Sequence, residues 1–535
     1  MADEAAPERV LSDRHVLPRW RPPSEAVEEM QGTASVRKAP FSHREGWLER
    51  LRAQYENAPS TQAATELEEA AFILGKELSS DDQEIVSKSA RSTLGPSDFD
   101  PVRQPGIDRM VAIRMLRARV SFSPNQPLAW TELARHHLAS GNQAKASDAM
   151  SCAVQLAPNN RYVLRSAARF YSRSEDGLDR ALWLLRKSPR TSRDPWLLAA
   201  EIASADMAER PSPFVKLAKS MLDTKRSGPR HYSELAAAVG TLEHESGRHK
   251  KAKQLMVQAL VDPTGNSLAQ AVYLSQSDKR IVVPAQFELS QGDFEANARA
   301  YYAEGRFELS LSAAFAWLHD EPFDVKPALL GSFLSFDDSL AGGAERIATL
   351  GLQSSPHHSS LHNNRAVARA YLGDLPGALD DVKNSNRGGR QEPSHLATLG
   401  LLGYRMGLEQ FGEECYTKAI AWFSSIGDML SCYRACLYWS RERGRLGDPN
   451  VVSDLAFLKD RISRLPLDQQ ESDLFALISA VDREMGRTQI QPLWPAPDMA
   501  MPSALDTIRA SFRLPDAAAR KALAFESNVL PLLAD

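Results

Sequence analysis

The stretch that most constrains this chain is residues 127–160, PLAWTELARHHLASGNQAKASDAMSCAVQLAPNN. Trp130, Leu133, Ala134 and His137 recur at three- and four-residue spacing and so share one face of a helix. Gly141 closes that helix. Ala146, Met150 and Ala153 make a matching face on a second helix, with small side chains where the two approach, and Pro158 stops it. A two-helix unit of this kind leaves one face bare, so it needs neighbours.

The unit recurs with varying fidelity. Ala112, Leu116 and Pro124 match its second half upstream, and Leu164, Ala167, Ala168, Tyr171, Ala181, Leu184 and Leu185 make the next pair. Residues 196–222 keep two helices but lose the turn glycine; Val239, Gly240, Gly247, Ala252, Met256, Ala259 and Pro263 restore the full pattern. The register breaks between 262 and 293. It resumes with Phe294, Ala298, Tyr301, Gly305 and Ser310, then Ala366, Leu372, Gly373, Ala378 and Val382, then Leu396, Leu399, Gly400, Gly407, Tyr416 and Ala419. About eight or nine pairs across residues 105–445 predict a stacked array in which each unit touches mainly its neighbours.

These signature residues resemble the tetratricopeptide repeat, with His137 as the departure where that family has a large apolar side chain. The resemblance implies an all-α solenoid, a TPR-like superhelix of antiparallel helix pairs with helical caps, and a concave groove lined by the first helix of each pair. In that family such grooves capture acidic C-terminal tails with Lys, Arg and Asn. By their spacing from the repeat signatures, Arg135, Arg165, Arg169, Arg299, Asn363 and Arg405 fall on the corresponding face.

At 535 residues the chain is long for one compact core. The expected division is an extended tail at 1–44, an N-terminal helical cap at 45–104, a first array at 105–280, a second at 281–445 and a C-terminal helical region at 446–535, the last split by a proline-rich connector at 491–498. In the tail, Val16, Leu17 and Trp20 stand out among charges and prolines. They read as a linear motif that docks on a partner or back on the solenoid, or as an incidental sticky patch. The acidic start MADEAAPERV and the lack of a long apolar run point to a cytoplasmic protein with no membrane association.

Catalytic signatures are near misses. His244, Glu245 and His249 spell HExxxH, one residue longer than the zinc-protease motif; on a continuous helix the extra residue turns the second histidine about 140° from the first. They also straddle a turn glycine, so the expectation is a solvated turn. His357, His358 and His362 lack accompanying Cys or carboxylates, and Cys415, Cys432 and Cys436 read as buried, inert thiols. No phosphate loop, dinucleotide fingerprint or nucleophile elbow is present in the sequence. No cofactor, metal or catalytic residue is expected.

Charge is segregated. Residues 101–193 hold 16 Lys and Arg against 6 Asp and Glu, a balance of +10, which leaves −14 for the rest of a chain whose total is −4. Arg161, Arg165, Arg169 and Arg173 recur every four residues and repel one another by a few tenths of a kcal/mol per pair. A stripe without interleaved carboxylates favours an anionic ligand; the competing reading is a solvated face paired with Glu175, Asp176 and Asp179. The expected function is a non-enzymatic protein–protein interaction scaffold or adaptor, its basic N-terminal third favouring an acidic partner segment. The alternatives are a nucleic-acid-associated regulator, with Phe170, Tyr171 and Trp183 as stacking candidates, and a regulator or inhibitor of a separately encoded enzyme such as a toxin or nuclease.

Overall fold

A computed structural model describes residues 14–23, five single positions between 52 and 79, and residues 105–173, 175–224, 228–284, 293–386, 391–465, 472–485 and 500–524. Apart from those single positions, the expected cap at 45–104, the rest of the tail and the connector at 491–498 lie outside the described residues. Among the latter are 23 α-helices and no strand.

The helices follow in chain order. They are α1 (Pro105–Phe122), α2 (Pro127–Ala139), α3 (Gln143–Leu156), α4 (Arg161–Tyr171), α5 (Glu175–Lys187), α6 (Pro195–Met207), α7 (Val215–Thr224), α8 (Pro229–Glu245), α9 (His249–Ala259) and α10 (Gly265–Ser277). After the interrupted register come α11 (Phe294–Ala303), α12 (Phe307–Asp320), α13 (Lys326–Phe333), α14 (Ala341–Ser354), α15 (Ser359–Leu372), α16 (Leu375–Asn386), α17 (Pro393–Arg405) and α18 (Glu409–Ser425). The C-terminal region holds α19 (Met429–Arg445), α20 (Val451–Ser463), α21 (Ser472–Met485), α22 (Ala500–Ser511) and α23 (Asp516–Ala524).

Local chemistry sets the boundaries. Pro127, Pro195, Pro229 and Pro393 sit in the first turn of their helices, where the missing N–H costs nothing. Asn160, Asp194 and Asp428 cap α4, α6 and α19 through their side chains, and Thr264 with Ser267 forms a reciprocal capping box on α10. Gly141, Gly247, Gly305, Gly373 and Gly407 reverse the chain between paired helices at positive φ, which glycine adopts without strain. In the α6–α7 turn, where that glycine is missing, Glu209 takes φ 54°, at a cost of roughly 1–2 kcal/mol.

Within pairs, small residues let the helices touch. A Cβ on Gly400 of α17 would lie 2.6 Å from Tyr416 of α18, so that ring packs directly on backbone. Between pairs, the first helices stack side by side: α2 on α4, α4 on α6, α6 on α8 and α8 on α10 form one inner row, and α13, α15, α17, α19 and α21 form a second. Each row coils until distant units meet. Gly141, at the end of α2, approaches the end of α14 so closely that a Cβ would sit 3.0 Å from the Gln353 carbonyl oxygen. In the second row, Asp473 of α21 accepts a hydrogen bond from the Tyr302 hydroxyl of α11 at 3.1 Å. The last helices, α22 and α23, fold back over α16, α17 and α18 and cover that end of the array.

Candidate functional site

Along the concave side of the first inner row runs the chain's own segment 14–23. It is extended, and His15, Leu17, Pro18, Arg19 and Trp20 are buried. An extended backbone cannot satisfy its own polar groups. Here the side chains of the array do it. Gln270 of α10 donates to the Arg14 carbonyl at 2.9 Å and accepts from the Val16 amide at 2.6 Å, as a neighbouring strand would. The Trp20 amide donates to Glu321 at 3.3 Å, Arg135 Nε of α2 donates to the Trp20 carbonyl at 3.2 Å, and the Tyr162 hydroxyl of α4 donates to the Arg21 carbonyl at 2.8 Å.

The side chains of the segment are held as tightly. The indole of Trp20 is fully buried, with its ring centroid 5.0 Å from Phe323 and 6.1 Å from Phe170. His15 Nε2 lies 2.9 Å from Asp206 of α6, a hydrogen bond that holds the Asp206 carboxyl below its usual range. Arg19 lies 3.8 Å from Asp320 and 4.0 Å from Asp293. Ala199, Ala203, Ala237 and Ala238 of α6 and α8 form the floor beneath His15, Val16 and Pro18, and only such small residues leave room for a strand there. The docking of this segment back on the solenoid is one of the two functional readings that its composition raised.

Of the arginines singled out in the sequence, Arg135, Arg161, Arg165 and Arg169 lie on α2 and α4 of the same inner row, and Arg405 lies on α17 of the second. Arg161 Nε meets Asp194 at 2.5 Å, and its guanidinium lies 5.2 Å from the Trp196 ring centroid. Arg165 grips Glu234 of α8 through both terminal nitrogens, at 2.7 and 3.2 Å, with Trp196 4.9 Å from its guanidinium. Arg169 spans to Glu321 and Asp324 beyond α12; burial opposes its charge, but these two carboxylates raise its pKa well above the ordinary arginine value. Arg299 pairs with Glu295 at 2.7 Å and Arg405 with Glu442 at 2.7 Å. Arg135, Arg161, Arg165, Arg169, Arg299 and Arg405 are all buried.

The fork of each buried arginine is therefore turned to carboxylates or carbonyls of this chain. Arg173, on the exposed rim, donates to Gln143 at 3.2 Å; Asn363 is buried, and its Oδ1 has no hydrogen-bond partner. Among the described side chains, Asp179 of the following helix pairs with Arg210 and not with the ladder. The carboxylates that the described residues bring to the ladder are Asp194, Glu234, Glu321 and Asp324, one to several units away. Sequence reasoning missed them because they are distant in the chain, although Glu234 offers a signal, a lone carboxylate facing the alanine-rich stretch of α8.

Phe170 and Tyr171 are buried, while Trp183 is exposed with Lys187 Nζ 4.5 Å from its ring centroid. His362 bridges Asp381 and the Pro356 carbonyl at 3.0 Å each, and His358 caps α15 through its ring nitrogen. Cys415, Cys432 and Cys436 are buried, and burial pushes the Cys415 thiol up to about 12. No helix among the described residues is long and apolar enough to cross a membrane.

No known family pattern matches the chain, and no curated protein does. Among solved structures it is similar to the crystal structure of the yeast Tom70, at 11% identity over 82% of this chain and 96% of that one, with a TM-score of 0.30. A likeness that low leaves the fold to rest on the helices themselves: an all-α array of stacked helix pairs.

Proposed function

We propose that the chain is a non-enzymatic protein-interaction scaffold whose first array takes up an extended segment along its concave face, residues 14–23 standing there as an internal ligand. The observation that carries this reading is the way segment 14–23 is held. Side chains of three different helices and of the α12–α13 connection meet its backbone, and one aromatic anchor fills a fully buried site, which is how grooves recognise peptides. A partner segment that replaces it has the same chemistry: a tryptophan anchor, prolines that favour the extended form, and basic flanks to meet Asp206, Asp293 and Asp320.

An acidic ligand is the other expectation for Arg135, Arg161, Arg165, Arg169, Arg173, Arg299, Asn363 and Arg405. It would have to displace carboxylates already bonded to most of these arginines, and removing one partner of a buried pair costs about 3–5 kcal/mol. In our reading the arginines are ties that hold the groove in shape, and Arg135 also touches the bound backbone.

The test places a protease site within residues 24–104 of the full-length protein, so that residues 14–23 are severed from the array without being deleted. After cleavage, a labelled peptide of residues 12–25 should bind one-to-one and be competed off by the unlabelled peptide but not by its Trp20→Ala version. If the N-terminal fragment leaves and the labelled peptide does not enter, or if an acidic peptide binds more tightly, the reading fails.

A further inference from the structure

The HExxxH stretch is left unused by the groove, and the fold gives it a geometry that its spacing does not. His244 lies in the last turn of α8, Gly247 reverses the chain at φ 72°, and His249 opens α9. The 140° separation expected on one continuous helix therefore does not apply, because the two histidines stand on two helices. Their ring centroids are 5.0 Å apart. Asp278, at the C-terminal end of α10, brings its carboxylate to the same point: Oδ2 lies 3.5 Å from His244 Nε2 and 3.5 Å from His249 Nδ1. The three donor atoms all lie within 4.8 Å of one another.

Those separations are too long for good hydrogen bonds. The two imidazole–carboxylate separations match the edge of a tetrahedron around an ion with bonds of roughly 2.1 Å, which is about 3.4 Å. Two further observations point the same way. His249 Nδ1 is buried and has no hydrogen-bond partner, although it faces the Asp278 carboxylate. Asp278 is itself held in place: Arg280 donates to Oδ1 at 2.7 Å and to Oδ2 at 2.8 Å, and the Arg280 amide donates to Oδ1 at 3.0 Å. A carboxylate oriented by hydrogen bonds from behind is the usual support of a metal ligand.

We propose that His244, His249 and Asp278 form a binding site for a divalent transition-metal ion of borderline softness, Zn²⁺ in the first instance. Two imidazoles and one carboxylate suit such an ion and disfavour Ca²⁺ or Mg²⁺, which take oxygen ligands. Three protein ligands leave the fourth position to water. The ion ties the end of α8 and the start of α9 to the end of α10, which lies within the interrupted register at 262–293. The charge of Arg280 opposes a dication, so the site is weaker than a four-ligand zinc site of cysteines and histidines.

The experiment uses the full-length protein stripped of metal with a chelator, ZnCl₂ as the probe in calorimetry, and Co²⁺ absorption to report coordination. His249→Ala and Asp278→Asn remove ligands. His357→Ala, in another unit, controls for adventitious binding to other histidines. His249 is half-exposed, so its replacement leaves the fold intact, which circular dichroism verifies. We expect one saturable Zn²⁺ equivalent in the parent protein and in His357→Ala, with an affinity loss of tenfold or more in both ligand variants. No saturable binding by the parent, or any smaller loss in the ligand variants, overturns the assignment.

Discussion

The two arrays close their concave interiors in different ways. In the second, α21 stacks beside α19 as one more inner helix and reaches α11, where Ser472 Oγ donates to the Tyr302 carbonyl at 2.5 Å. A helix carries its own backbone hydrogen bonds, so α21 asks only for packing. The same array packs Tyr404 with Tyr416, Trp439 donating to the Tyr404 hydroxyl at 2.7 Å, and Tyr371 beneath the guanidinia of Arg405 and Arg441. In the first array the same place is taken by the extended segment 14–23, whose carbonyls and amides must be met by Gln270, Glu321, Arg135 and Tyr162. The second interior is a core; the first has the chemistry of a binding site that the chain itself fills.

The sharpest way to break that comparison is Trp20→Ala. Removing a fully buried tryptophan costs about 3–5 kcal/mol. The loss should fall on the first array and on the α12–α13 connection that Trp20 touches, since stacked units depend mainly on their neighbours. Urea unfolding followed by limited proteolysis should show α2–α8 cut at lower denaturant while α15–α19 stay protected. Equal weakening of both arrays would mean that segment 14–23 is a strut for the whole molecule.

A smaller effect sharpens the other side. His395, at the start of α17, is pushed down to about 4 by burial, well below the roughly 6.5 of an exposed histidine. Its lowered pKa means that the unfolded chain takes up the proton first as pH falls. The associated stability is present above about pH 7 and is lost as pH falls towards 4, amounting to roughly 2 kcal/mol at pH 5. His137 in α2 is shifted in the same direction by burial, so some acid sensitivity remains in any variant. Urea titrations at pH 7 and 5 should show His395→Gln losing about 2 kcal/mol less than the parent protein.

The smallest expected effect is a control. Arg210 pairs with Asp179 at 2.7 Å, but both are half-exposed, and Arg210→Ala should change stability by less than about 1 kcal/mol. A loss as large as that of Trp20→Ala would show that the first array depends on surface charge and not on its interior.

How much of this was legible before any coordinates is a matter of range. The helix pairs could be read because the decisive signals are local: Gly141 at its turn, Ala146 and Met150 on one face, Pro158 at the stop. Even the missing glycine of 196–222 was visible, and Glu209 at positive φ is its structural trace. The buried ties were not legible. Arg165 and Glu234 are 69 residues apart, and Arg169 and Glu321 are 152 apart, so a helix wheel shows only four unpaired arginines. The expected partners Glu175, Asp176 and Asp179 were simply the nearest in sequence. Leu17 and Trp20 could be recognised as sticky, but their place on the inner row depends on how far the array coils. The glycine between His244 and His249 marks their turn, but Asp278, which meets both, lies on another helix and no local pattern links it to them.

The central claim is that segment 14–23 lies along the concave face of the first array with its backbone bonded to it. Hydrogen exchange followed by mass spectrometry on the full-length protein tests this most directly. The Val16 and Trp20 amides, bonded to Gln270 and Glu321, should exchange as slowly as those in the middle of α4 and α6, and Gln270→Ala should release Val16. Exchange of residues 14–23 at the rate of an unstructured peptide, while α4 and α6 remain protected, would contradict the account.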